Sequence, residues 1–241
     1  MLHTYASLMP DAISISSRDC VMPVVPMFHV NAWGLPYSCA MVGAKLVLPG
    51  AALDGKSLHE LITSEHVSFA AGVPTIWLGM LQHAEQNALS LAPLKRTIIG
   101  GSAVPPSMMR AFEDNHGIEV IHAWGMTEMS PLGTVSRLKQ KHLSLPLGEQ
   151  HALLAKQGKV VFGVDMRIVD PQGDDVAWDG KTPGDLLVRG PWIVQSYFGT
   201  DGAKPLVSDA AGVQWFPTGD VATIDVDGYM QITDRSKDVI K

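Results

Sequence analysis

The sequence predicts an α/β protein: a mostly parallel sheet flanked by helices, followed by a smaller β-rich subdomain. Two observations carry this. Over the first 135 residues or so, short apolar runs alternate with helix-like segments, the order that feeds a parallel sheet covered by helices. Beyond about residue 155 the apolar runs become short and β-like, and Pro-Gln-Gly-Asp and Gly-Pro turns separate them. The expected division is an α/β part over 1–155, a β-rich part over 156–233 and a short stub over 234–241.

Along the chain, residues 44–48 read as a buried strand ended by Pro49-Gly50, and Ser57 with Glu60 has capping-box spacing for the helix that follows. Leu58, Leu61 and Ile62 supply its apolar stripe. Residues 67–71 read as a strand, and Pro74 opens an apolar helix through Trp77, Leu78 and Leu81. Residues 96–99 form the next strand, 100–103 the turn, and Pro105-Pro106 the first turn of a helix ending near Gly117. Residues 118–123, 165–169 and 185–189 follow as strands. Asp227-Gly228 is the turn of a hairpin between 221–226 and 229–233.

Composition excludes several classes. Of 241 residues, 46% are apolar and only 17% charged, so the chain buries a core and is not disordered. Eighteen basic against 24 acidic residues leave a net charge of −6, which gives nucleic acid or an anionic membrane surface nothing to hold. The two cysteines, Cys20 and Cys39, lie in no metal-ligand spacing and fit a reducing cytoplasm. Pro23, Pro26, Gly43 and Lys45 interrupt the most apolar stretches, so no transmembrane helix is expected. No basic segment leading into an apolar one follows Met1, and a cytoplasmic location is expected.

Polar residues gather where strands should end: Gly100-Gly101-Ser102-Ala103, Trp124-Gly125-Met126-Thr127-Glu128 and Thr218-Gly219-Asp220. Ligands of open α/β sheets bind beyond the carboxyl ends of the strands, so the first two loops would share a crevice. Gly100 and Gly101 would let backbone approach a flat ligand, although a plain strand-to-helix turn has the same composition. Trp124 suits stacking on a base and equally suits a core. Thr127 and Glu128 offer adjacent hard oxygens of the kind Mg²⁺ takes, or a solvated helix start. Asp220 has two oxygens for a pair of ribose hydroxyls, or is an ordinary turn aspartate.

Taken in order, six segments resemble the core motifs of fatty-acyl-CoA synthetases in the adenylate-forming (AMP-binding) superfamily. They are Pro26-Met27-Phe28-His29-Val30-Asn31-Ala32-Trp33-Gly34, Gly100 to Pro105, Trp124 to Glu128, Gly184 to Pro191, Trp215 to Asp220, and Asp234 to Lys241. Together they cover essentially the whole chain.

The resemblance implies ATP, Mg²⁺ and coenzyme A as cofactors and co-substrates, and a medium- or long-chain fatty acid as substrate. Ser102, Ala103, Trp124 and Gly125 would line the adenine, with Trp124 where most relatives carry tyrosine. Ile232 would pack on the adenine face. Thr127 would touch the α-phosphate, Glu128 would hold Mg²⁺, and Asp220 and Arg235 would bind the ribose. His29, Trp33 and Gly101 would border the acyl site, Trp33 in the manner of an aromatic gate. Lys237 aligns with the hinge to a C-terminal domain.

The family's Ser/Thr/Gly-rich phosphate loop and its adenylation lysine have no counterpart among these residues, so the chain reads as an internal fragment that does not complete the reaction alone. A homodimer formed through exposed edges is a further expectation. Two other readings are an acyl-AMP ligase that loads a carrier protein and a non-catalytic nucleotide- or lipid-binding module. An esterase reading is disfavoured because Ser102 lacks the Gly-x-Ser-x-Gly turn.

Overall fold

The computed structural model describes residues 1–199 and 205–235. Its larger sheet has seven strands: β1 (Cys20–Pro23), β2 (Lys45–Leu46), β3 (Phe69–Gly72), β4 (Arg96–Ile99), β5 (Glu119–Gly125), β6 (Leu132–Val135) and β7 (Lys159–Val160). Their order is β2-β1-β3-β4-β5-β6-β7. Strands β1 to β5 pair in parallel, whereas β5–β6 and β6–β7 are antiparallel. The change from one sheet to the other therefore falls after Val160, a few residues later than the sequence texture suggested.

Side-chain alternation along the parallel strands assigns neighbours to opposite cores, as the period of two demands. Met22, Ala70, Ile99 and Val120 pack on one face with Leu58 and Ile62 of α4 (Gly55–Ser64), Trp77 and Met80 of α5 (Pro74–Gln86), and Phe112 of α6 (Pro106–His116). Val21, Phe69, Ala71, Ile98 and Ile121 face the other way, into a core shared with Leu35 and Cys39 of α3 (Leu35–Val42). That second core continues through Met166, Ile168, Val188, Phe216 and Ile224 of the smaller sheet. Among the described residues, no helix is long and apolar enough to cross a membrane.

Three local expectations need correction. The helix of residues 55–64 is capped by Asp54, whose carboxylate accepts from the Ser57 amide at 3.0 Å, and not by Ser57. A charged acceptor facing the positive end of the helix is the stronger cap. The expected strand of residues 44–48 shrinks to β2, which pairs with β1 through two residues at the sheet edge. Leu78 is 50% exposed, because it follows Trp77 by one residue and so points about 100° away from the buried side.

The smaller sheet is antiparallel throughout and contains β8 (Asp165–Val169), β9 (Gly184–Arg189), β10 (Val207–Ser208), β11 (Gln214–Ile224) and β12 (Met230–Arg235). Its order is β10-β11-β9-β8, with β12 on the free part of β11. Strand β11 begins seven residues before the hairpin the sequence suggested, and its register with β9 shifts between Pro217 and Val221. Such an irregularity re-aims side chains, and it holds Gly219 at φ +79° beside Asp220.

The hairpin tip is pinned to the larger subdomain. The buried His142 ring sits between the Asp227 carboxylate at 3.0 Å and the Tyr229 hydroxyl at 3.1 Å, and Tyr229 donates to the Arg137 carbonyl at 2.7 Å. Lys156 adds an ion pair to Asp225 at 2.6 Å.

Candidate active site

Two hollows meet at the carboxyl ends of β4 and β5. The first, about 540 Å³ counting its mouth, is mainly apolar, with Trp33, Leu35, Ile98, Gly101 and Trp124 in its wall. The second is a more polar cleft of about 1270 Å³ between the two sheets. Seven residues singled out in the sequence line that cleft together: Ser102, Ala103, Trp124, Gly125, Asp220, Ile232 and Arg235. Gly101 and Trp124 face both hollows.

Glycine is needed in this wall for steric reasons. A Cβ on Gly100 would stand 2.8 Å from the Ala123 carbonyl, and one on Gly125 would overlap the Pro131 carbonyl at 2.0 Å. Gly101 holds φ +81°, a left-handed conformation that glycine adopts without a Cβ penalty.

The backbone leading to Trp33 is unusual. Val30, Asn31, Ala32 and Trp33 have φ values of 45°, 54°, 52° and 56°, a left-handed turn closed by the Trp33 amide donating to the His29 carbonyl at 3.2 Å. This places Trp33 in the apolar wall and leaves Ala32 wholly buried. His29 is exposed beside Phe28, with ring centroids 4.6 Å apart, and belongs to the wall of neither hollow. The His29 ring thus lies outside the wall of both hollows, while its carbonyl closes the turn that carries Trp33.

Across the cleft, the Trp124 indole N–H donates to Asp220 Oδ2 at 3.0 Å. Arg235, opposite Asp220 in the β11–β12 register, lies 3.7 Å from Oδ1. Burial pushes the Asp220 carboxyl up from its ordinary range, while the indole and Arg235 oppose that rise.

Thr127 and Glu128 occupy a single 3₁₀ turn, Thr127–Met129, directly after β5. Thr127 is exposed and Glu128 half-buried at the rim; neither is in the wall of either hollow. Glu128 Oε1 accepts from the Tyr197 hydroxyl at 2.9 Å. Among the described residues, no group of three or more His, Cys, Asp or Glu side chains is placed to hold a metal. Lys237 lies outside the described residues.

Three residues of the site escaped the sequence reading. His122 lines the polar cleft, is buried, and shares its face of β5 with Trp124, so alternation along the strand was an available signal. Its Nδ1 is 2.9 Å from the Ala155 carbonyl, and burial holds its imidazole down to about 4. Gln157 accepts from the Ile232 amide at 2.8 Å, a contact across 75 positions that no local pattern announces. Tyr197, which reaches Glu128 over 69 positions, is the third.

The same fold occurs in a long-chain-fatty-acid-CoA ligase from Archaeoglobus fulgidus, with a TM-score of 0.82 at 22% identity, over 97% of this chain and 46% of that one. A sequence profile described as AMP-binding enzyme matches residues 1–198, and the chain belongs to that family. It is 54% identical over its whole length to 3-methylmercaptopropionyl-CoA ligase of Ruegeria lacuscaerulensis, of which it covers 44%. It is 52% identical, again over its whole length, to medium-chain-fatty-acid–CoA ligase of Ectopseudomonas oleovorans, of which it covers 43%. The chain thus spans less than half the length of these curated relatives.

Proposed function

We propose that this chain supplies the acyl and nucleotide walls of an ATP-dependent fatty-acid–CoA ligase of the cytoplasm. The observation that carries the reading is the apolar hollow opening beside a polar cleft, with Trp124 and Gly101 in the wall of both. A carboxylate at the junction would have its alkyl chain on one side and a nucleotide on the other. Both named relatives are CoA ligases, one of them of medium-chain fatty acids, and support it. Two buried cysteines without a disulfide, Cys20 and Cys39, suit a reducing compartment.

The reaction has two displacements. A carboxylate oxygen attacks the α-phosphorus of ATP and pyrophosphate leaves; a coenzyme A thiolate then attacks the acyl carbonyl and AMP leaves. The first step joins two anions, so its barrier depends on charge compensation. In this reading Asp220 and Arg235 hold the ribose, Ser102, Ala103, Gly125 and Ile232 enclose the base, and Thr127 donates to the α-phosphate. Thr127 and Glu128 are adjacent hard oxygen donors, and among the described residues no group of three or more His, Cys, Asp or Glu side chains could enclose a metal, which fits Mg²⁺ bound chiefly by phosphate and water. When bound there, Mg²⁺ would neutralise phosphate charge.

Chain length would be selected by apolar contact beyond Trp33, each buried methylene adding about 0.8 kcal/mol. A homodimer would form through exposed edges of the fold. Light scattering reads that point.

The test of the reading is calorimetric titration of the chain with non-hydrolysable acyl-adenylate analogues from four to twelve carbons. Affinity rising with chain length to a limit supports it, and absence of binding to folded protein overturns the site assignment. In a full-length protein containing this chain, fatty-acid-dependent exchange of pyrophosphate into ATP tests the first displacement. Coenzyme A dependence of the second separates a CoA ligase from an enzyme that loads a carrier protein.

A further inference from the structure

Asp220 belongs to the smaller sheet and Trp124 to the larger, 96 positions earlier, and the hydrogen bond between them crosses the cleft. The Asp220 side chain is only 13% exposed. A carboxylate so enclosed needs a donor. Arg235 stands 3.7 Å away with its own side chain 73% exposed, longer than a direct hydrogen bond. Among the described residues, the indole N–H is the one hydrogen-bond donor to this carboxylate.

An indole donates from its edge, in the plane of the ring, which leaves both faces free. A tyrosine would carry its donor at the far end of the ring, and a phenylalanine would carry none. One side chain can therefore present a flat face to a base while its edge fixes a carboxylate beside it. The Asp220 backbone is fixed as well, because its amide donates to Thr218 Oγ1 at 3.1 Å within the irregular stretch of β11.

We propose that Trp124 is a positioning residue for sugar recognition: its indole N–H engages Asp220 Oδ2 and turns the remaining acceptor sites of the carboxylate toward the ribose hydroxyls of a bound nucleotide. This rests on the reading of Asp220 as the ribose acceptor. Trp124 then does more than stack, since it ties the plane of the base to the carboxylate that reads the sugar. The rotation open to a solvated aspartate is removed before the nucleotide arrives, which is preorganisation in the ordinary sense.

The experiment compares AMP with 2′-deoxy-AMP by calorimetry on the chain, on Trp124→Phe and on Asp220→Asn. The Asp220 carboxyl is titrated by NMR in the first two. The wild-type chain is expected to favour AMP by about tenfold, the scale of one hydrogen bond to a charged group. Trp124→Phe should reduce that preference to below about threefold and raise the Asp220 pKa, a readout that loss of stacking alone would not move. An unchanged sugar preference in Trp124→Phe overturns the inference. No preference in the wild type, or a preference that survives Asp220→Asn, overturns the ribose reading itself and the inference with it. If Trp124→Phe fails to fold by circular dichroism, Trp124→Met, which fills similar space without a donor, is read by the same two criteria.

Discussion

The Tyr197 hydroxyl donates to Glu128 Oε1 at 2.9 Å, and in the same stretch the Val194 amide donates to the Glu128 carbonyl at 2.9 Å. The loop before residue 200 is thus fastened to the 3₁₀ turn after β5 through both the side chain and the backbone of one residue. Partial burial and the nearby carboxylate push the Tyr197 hydroxyl up, which keeps it a protonated donor at neutral pH. If Glu128 holds Mg²⁺, Tyr197→Phe releases the carboxylate from a set orientation. The Mg²⁺ concentration needed for half-maximal ATP binding should rise by up to about tenfold. An unchanged Mg²⁺ dependence would separate Tyr197 from the metal.

Gly125→Ala tests the wall by steric means. The added methyl would overlap the Pro131 carbonyl at 2.0 Å, with Gly133 N at 3.2 Å, so the backbone after β5 must move. The expected loss exceeds about 2 kcal/mol of stability, and it should weaken nucleotide and acyl ligands together because Gly125 lines both hollows. Urea unfolding and the analogue titrations measure the two effects. A variant as stable as wild type with unaltered binding would show that this contact yields freely.

In the core under α5 and α6, Phe112 is wholly buried and meets Trp77 edge-to-face at 5.9 Å. Phe112→Ala should cost about 3–5 kcal/mol, read as a fall in the urea midpoint at unchanged slope. The site lies at the strand ends above this layer. Ligand affinity per folded molecule should therefore change much less than stability does.

Acid should weaken the fold first through two histidines. Burial lowers His122 and His3 from 6.5 to about 4 each. Between those values the unfolded chain takes up protons that the folded chain refuses, so stability is full above about pH 6.5 and declines as pH falls toward 4. His122→Gln should flatten that decline while leaving the share due to His3, whose Nε2 accepts from the Leu132 amide at 3.1 Å. Denaturant midpoints between pH 7 and 4 supply the comparison; a slope that Gln does not alter would remove His122 from the account.

Local chemistry explains what could be read from the sequence. The strand Arg96–Ile99 and the helix Pro106–His116, stopped by Gly117 in a left-handed cap, follow from apolar runs bounded by glycine and proline. The polar cleft was legible because its walls come from segments with dense local wording, at 101–103, 124–125 and 218–220. Contacts that depend on distant chain were not legible. Gln157 with Ile232, Tyr197 with Glu128 and the indole with Asp220 each join residues at least 69 positions apart. The left-handed run from Val30 to Trp33 was not legible either, because four successive residues with side chains hold positive φ there without any glycine to announce it.

That left-handed turn also bears on how the protein could be altered. Four successive residues with side chains, one of them the β-branched Val30, hold a conformation that costs roughly 1–2 kcal/mol each relative to right-handed backbone. The wall carrying Trp33 behaves as a wound spring, with its energy in the main chain and not in the ring. Replacing Asn31, which is exposed, by glycine would slacken the spring without altering any side chain that lines the hollow.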